Sequence, residues 1–227
     1  MMASVEPVEE LTAKGEFTKV QMDRINLIQR VKYFAEQELG MKKTKNYRKV
    51  YPRPMDQALW VISASPKDTM KLKTWWFPII GRMPYLGFFS NEGAEKERYR
   101  LEKKGYDVVV RDAEAYSTLG WFEDPITMNM LKRSPAALAD TIIHELTHVT
   151  IYVKGQSAFN EGFALFMGRF GALQFMQSVF GPENPQTKIA LYVIDDERIF
   201  SAFLNKLLTE LESFYSLPIT RDRKSVV

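Results

Sequence analysis

Cysteine is absent from the 227-residue sequence, and histidine occurs only as His144 and His148. The first absence excludes thiol nucleophiles, thiolate metal ligands, iron–sulfur clusters, disulfide scaffolds and lipid attachment through Cys in this chain. The second confines imidazole chemistry to one short stretch. No apolar run approaches the roughly 20 residues of a membrane span. The opening MMASVEPVEELTAKGEF lacks the apolar segment of a signal peptide. Neither sign of charge dominates: 31 basic against 28 acidic side chains give +3. A basic cluster at Lys42, Lys43, Lys45, Arg48, Lys49 and Arg53 has no nucleic-acid motif beside it, so it reads as a solvated loop. No nucleic-acid partner is expected. What remains is an ordinary globular balance, 45% apolar and 26% charged, with enough apolar material for a core.

The pattern along the chain predicts a helix, a small sheet and then more helices. From Val20 to Leu39, Leu27, Ile28, Val31, Phe34 and Ala35 recur at helical spacing, and Gly40 supplies a stop. The basic stretch to Pro54 reads as a loop. Strands are expected at 58–62, 75–77, 85–89 and 106–111, with a charged helix capped by Ser90 and ended at Gly105. Tyr116 to Phe122 is a further extended segment. Helices then follow at 134–153, 157–180 and about 188–215. The aromatic-rich stretches at 75–77 and 163–175 read as core.

The chemistry concentrates in Ile143-His-Glu-Leu-Thr-His148. Ser134 followed by Pro135 is a strong helix start, since the hydroxyl caps free N–H groups and proline suits the first helical position. Leu138, Ile142 and Leu146 give that helix a buried stripe. His144 and His148 then share a face, with β-carbons about 5–6 Å apart. Two imidazole nitrogens so placed can reach one zinc ion, and Glu145 can take a proton from water at its open position. A third protein ligand is required. The candidate is Glu161 in Phe159-Asn-Glu-Gly-Phe-Ala164, brought back by a turn at Lys154-Gly155 and a helix capped by Ser157.

These motifs carry a resemblance. HELTH followed by FNEGFA resembles the gluzincin branch of zinc metallopeptidases, whose third ligand is the Glu of an Asn-Glu motif. The chain is similar over most of its length to the bacterial family of predicted aminopeptidases, through EPVEEL, RVKYFAEQELG, WWFPIIGRMPYLGFF, GYDVVV, AYSTLGWFEDP, HELTH and YVKGQSAFNEGFA. The resemblance implies an α+β, zincin-like fold with a small mixed sheet followed by a helical half carrying the HExxH helix. It implies zinc held by His144, His148 and Glu161, with Glu145 as catalytic base and a peptide as substrate. Members of that family usually carry an export signal before the point where this chain starts, and continue past its end. Residues 1–219 are therefore expected to form one such domain, and 220–227 a disordered, non-native tail. No GAMEN-like motif for holding a free amino group is present.

Other roles stay open at this level. Tyr116 to Phe122 reads equally as a substrate-aligning edge strand or as an ordinary sheet strand. Tyr116, Tyr152 and Tyr192 are each candidates for stabilising an oxyanion. Glu114, Glu123 and Asp124 could hold a substrate amine, with surface placement the default. The sequence thus points to a zinc aminopeptidase. The alternatives are an endopeptidase of the same chemistry and a non-catalytic zinc-stabilised binding protein.

Overall fold

A computed structural model describes residues 5–51, 59–78, 81–88, 90–113 and 123–218. In chain order the elements are β1 (Glu6–Pro7), α1 (Val8–Ala13), α2 (Lys19–Gln37), β2 (Lys49–Tyr51), β3 (Leu59–Pro66), β4 (Trp75–Phe77), β5 (Gly81–Met83) and β6 (Leu86–Phe88). They continue with α3 (Asn91–Glu102), β7 (Tyr106–Ala113), β8 (Ile126–Thr127), a 3₁₀ turn at Met130–Lys132, α4 (Pro135–Thr150), α5 (Ser157–Phe180) and α6 (Pro185–Ser216). The architecture is mixed α and β, as expected, with the helical half at the C-terminal end. No described helix is long and apolar enough to cross a membrane. Two compact units separate, one within 1–56 and 116–195, the other within 57–115 and 196–227.

The first unit is helical and holds the larger core. α2 starts at a capping box that pattern reading passed over. Thr18 Oγ1 accepts from the Gln21 N–H at 3.3 Å, and Gln21 Oε1 accepts from the Thr18 N–H at 2.8 Å. Ser134 caps α4 as expected, accepting from the Ala137 N–H at 3.3 Å, with Pro135 in the first turn. The stripe of Leu138, Ile142 and Leu146 is fully buried, and Ile143 joins it from the adjacent face. These residues pack with Ile25, Ile28 and Val31 of α2 and with Phe175 and Met176 of α5. A small sheet in the order β1-β2-β8 lies in the same unit, antiparallel at β1 and parallel at β8. Its strands, two or three residues long, are too short for alternation to reveal, so β2 falls inside the stretch read as loop.

The second unit contains an antiparallel sheet in the order β6-β3-β7, a β4-β5 hairpin and α3. β3 pairs with β7 in a register that sets Ile62 opposite Val110 and Ala64 opposite Val108. Val108 and Val110 pack on a core with Ile62, Ala64, Ala94 and Leu101, while Val109 is exposed, the two-residue alternation of a half-buried strand. In place of the expected single mixed sheet, the described residues form three small sheets, of which β1-β2-β8 is mixed.

α5 departs from the expectation that its aromatics form the core. Phe159, Phe166 and Phe170 are about half exposed, and of the aromatics in this helix only Phe175 is fully buried. The buried face is made of Ala164, Gly168, Gly171 and Ala172, at helical spacings of four, seven and eight. Small residues on this face let α4 and α5 approach closely. A β-carbon built at Gly171 would lie 3.0 Å from Ile143 Cγ2 and from Leu39 Cδ1. Gly162, about two and a half turns earlier and exposed, has nothing within 4 Å. Two substitutions should separate these situations. Gly171→Val is expected to lower stability by about 1–3 kcal/mol through overpacking. Gly162→Ala should raise it by about 0.5–1 kcal/mol by favouring the helical backbone. Denaturant melts of both variants are the check; equal effects would dismiss the close crossing.

Candidate metal centre

α4 carries the whole HELTH stretch in its last two turns, so helical spacing alone puts both imidazoles on one side. His144 Nε2 and His148 Nε2 converge to 3.2 Å, with ring planes 82° apart. The chain then turns at Gly155, whose φ of 76° suits glycine, and enters α5. The expected Ser157 cap is not what starts this helix. Gln156 occupies the N-cap position without a side-chain cap bond, and Ser157 is the first helical residue.

Asn160 performs the fixing role instead, one that sequence reading left unassigned. Its side chain donates from Nδ2 to the Val153 C=O at 2.8 Å, and its Oδ1 accepts from the Val153 N–H at 2.8 Å. Asn160 is buried, so this two-way clamp ties the segment leaving α4 to the first turn of α5. The next residue, Glu161, then faces the histidines. Its Oε2 lies 3.6 Å from His144 Nε2 and 3.6 Å from His148 Nε2. A further tie lies behind the site, where Arg169 of α5 pairs with Asp140 of α4. A β-carbon at Gly168 would meet Asp140 Oδ1 at 2.5 Å and His144 Cβ at 3.2 Å. Glycine at that position thus lets α5 lie against the histidine-bearing face.

The spacing suits one metal ion. Four ligands at about 2.0–2.1 Å in a tetrahedron stand roughly 3.3–3.4 Å from one another. The three observed separations, 3.2, 3.6 and 3.6 Å, bracket that edge length. His144, His148 and Glu161 also form a group whose ligand atoms all lie within 4.8 Å of one another. His148 is 4% exposed and Glu161 51%, so the group has a closed side and an open side. Glu145 stands between the histidines in sequence, and its Oε2 is buried without a hydrogen-bond partner among the described residues. The His148 Nδ1 atom is likewise buried and unpartnered.

Charge supports the arrangement. Attraction to the imidazoles of His144 and then His148 outweighs the opposing effect of burial and holds the Glu161 carboxyl at about 2. Burial, with Glu161 second, raises the Tyr152 phenol above its ordinary value. Tyr152 thus feels the charge of Glu161, whereas Tyr192 is exposed on α6 and Tyr116 lies outside the described residues. The Tyr116–Phe122 segment and Glu114 also lie outside them, as does Arg53 of the basic cluster. Glu123 is engaged on the surface with Lys49 at 3.1 Å and Lys45 at 3.8 Å. Asp124 departs from its expected surface position: it is buried and accepts from Asn46 Nδ2 at 3.1 Å.

Comparison with known proteins adds one positive finding. The model of the family described as "Putative aminopeptidase" matches residues 1–226. No curated protein and no solved structure matches the chain.

Two outcomes follow from this geometry. Asn160→Ala removes both clamp bonds and should lower stability by about 1–2 kcal/mol. It should weaken metal binding about 10–100-fold, because an outer residue that orients a ligand is lost; calorimetric titration with a divalent metal reads this directly. The second concerns pH in the metal-free protein. A carboxyl lowered on folding stabilises the fold above its ordinary value of 4.5, and that contribution disappears as pH falls through about 2. Glu161→Gln should therefore destabilise at pH 6, with the difference shrinking toward pH 2 in urea melts. A difference independent of pH would show that Glu161 is not held by the imidazoles.

Proposed function

The chain belongs to the putative aminopeptidase family, and from that premise we propose that it is a zinc-dependent peptide hydrolase of zincin-like, gluzincin type, acting as an aminopeptidase. The observation that carries this reading is the convergence of His144, His148 and Glu161 beside Glu145. A set of two imidazoles and one carboxylate with an open fourth position is the ligand chemistry of catalytic zinc. A purely structural site needs the ligands but has no use for Glu145.

Zinc, when bound, supplies a Lewis acid that polarises the scissile carbonyl and makes water a nucleophile near neutral pH. The chain's own residues do the rest. His144 and His148 are held by the buried stripe of α4, so their nitrogens stay convergent without rearrangement. Glu161, fixed by its neighbour Asn160, stays ionised as the third ligand. The Glu145 carboxylate has no partner on its buried oxygen among the described residues, so no salt bridge neutralises it as a base there. It accepts a proton from the attacking water and returns it to the leaving amine. Tyr152, just past the end of α4 and raised by burial and by the charge of Glu161, is the tyrosine we assign as donor to the oxyanion of the tetrahedral intermediate. The family description supports a substrate with a free N-terminus, since that is what an aminopeptidase trims.

Metal analysis and a peptide digest test this reading together. Wild-type protein should hold about one zinc per chain, and His144→Ala or His148→Ala should lose it. Glu145→Gln should retain zinc and fold while losing at least about 10²-fold in hydrolysis. Peptides with free N-termini should be shortened one residue at a time and N-acetylated ones spared. Internal cleavage of acetylated peptides would assign an endopeptidase. Bound zinc with no activity dependent on Glu145 would leave a zinc-stabilised binding protein.

A further inference from the structure

A cavity of about 70 Å³ lies where α4, α5 and the start of α6 meet. Ala136 and Ala137 of α4 and Ala172 of α5 bound it, and Ile189, Ala190 and Val193 of α6 complete an apolar lining. α6 is held there by Gln186, whose Oε1 accepts from the Ala136 N–H at 3.4 Å. Ala190 is buried in the same core as Leu138, whereas Ile189 is 39% exposed and Val193 half-buried. The helix thus docks through its small residue, and the larger two stand around the space without filling it. An apolar recess beside a candidate metal centre is the usual form of a ligand pocket.

The cavity continues the face that carries the candidate ligands. On α4, Ala137, Asp140, His144 and His148 succeed one another at spacings of three or four residues. On α5, Glu161, Gly168 and Ala172 do so at seven and four. Each helix therefore presents ligands at one end of this face and cavity lining at the other. Asp140 joins the two ends. It lines the cavity, stands one turn from His144, and meets the same glycine: a β-carbon at Gly168 would lie 2.5 Å from Asp140 Oδ1 and 3.2 Å from His144 Cβ. One helical turn rises about 5.4 Å. The α-carbon of the residue after a scissile bond stands about 2.5 Å from the reacting carbonyl carbon. A side chain at that residue spans the remaining gap.

Volume and charge define what fits. The space is about half the roughly 150 Å³ that holds a benzene ring in an engineered cavity, so it admits a short aliphatic group and excludes an aromatic one. Asp140 and Arg169, the charged side chains in the lining, pair with each other, so the cavity offers no net charge. The side chain of an N-terminal residue shares its α-carbon with an ammonium, which needs a carboxylate not already paired. The side chain after the scissile bond makes no such demand. We propose that this cavity is the specificity pocket for the residue following the scissile bond, and that it selects alanine, valine or leucine there. The inference rests on the peptidase reading of the metal centre.

The zinc-loaded full chain tests this with peptides Ala-Xaa-Gly-Gly in which Xaa is glycine, alanine, leucine or phenylalanine. Leucine should give a higher kcat/KM than glycine or phenylalanine. Ala137 and Val193 are only partly buried, so both tolerate a change of volume. Ala137→Leu fills the cavity and should lower the leucine-to-glycine ratio of kcat/KM about 10–100-fold. Val193→Ala enlarges it and should raise the phenylalanine-to-leucine ratio about tenfold. Calorimetry on zinc-loaded Glu145→Gln protein, which leaves the peptides uncut, supplies a readout independent of hydrolysis. Affinities should follow the same order, and adding Ala137→Leu should abolish the preference for leucine. Hydrolysis whose ratios neither variant moves overturns the pocket and leaves the peptidase reading intact. Ratios that move only when the first residue of the peptide is varied overturn the assignment to the following residue. If no peptide is cut but calorimetry keeps the aliphatic preference and its loss in Ala137→Leu, the peptidase reading falls and the pocket stands as a peptide-binding site.

Discussion

The close crossing of α4 and α5 is the constraint on which the candidate site depends. His144 and His148 need only an intact helix to face the same way, but Glu161 belongs to a different helix and must be carried to them. Gly168 and Gly171 make that possible. With no β-carbons there, the backbone of α5 lies against Asp140, Ile143 and His144. The contact couples stability to chemistry, because the atoms that fill the α4–α5 core also set the distance between imidazoles and carboxylate. Moving either helix by a fraction of an ångström alters both.

Around that crossing, an outer layer of polar groups holds the candidate ligands in place. Asn160 converts a flexible connection into a fixed one by satisfying both backbone groups of Val153. The Asp140–Arg169 pair ties the same two helices. The loop 42–47 is governed in the same way from α2, through Gln29, Lys32 and Glu36. Buried polar side chains of this kind are costly unless bonded. Lys32 and Asn160 meet that requirement fully enough to act as rigid pegs. Among the described residues, Glu145 Oε2 and His148 Nδ1 in the HELTH stretch do not, and neither do Asp140 Oδ1 and Arg24 Nε outside it.

The exposed aromatics of α5 follow from the same crossing. A helix whose inner face must be glycine and alanine can place its phenylalanines only toward the outside or at its far end, where Phe175 meets Phe34. Aromatic content is therefore a poor guide to burial in this helix, and side-chain volume at the contact is the better one.

Periodicity and caps made most of the long elements legible. The buried stripe of α4, the start at Ser134-Pro135, the span of α5 and the charged helix beginning at Ser90 all rest on local forces: hydrogen bonding within a turn and one-sided burial. The pairing of His144 with His148 was legible for the same reason, since a separation of four residues on a helix is already a distance in space. The three-residue strands β4 and β6 were marked by their aromatic runs, but β1, β2 and β8 were not legible, because so short a segment has no period and exists only through its partner, as β8 does beside β2. Nor was the left-handed backbone of Tyr47, which is held by Gln29 and Asp124, residues far away along the chain. The sequence by itself determined which residues could ligate a metal and that two of them would share a face. Only the tertiary structure decided that Glu161 joins them, because the approach of α5 is set by packing at Gly168 and Gly171 and by the Asn160 clamp, contacts that no local pattern encodes.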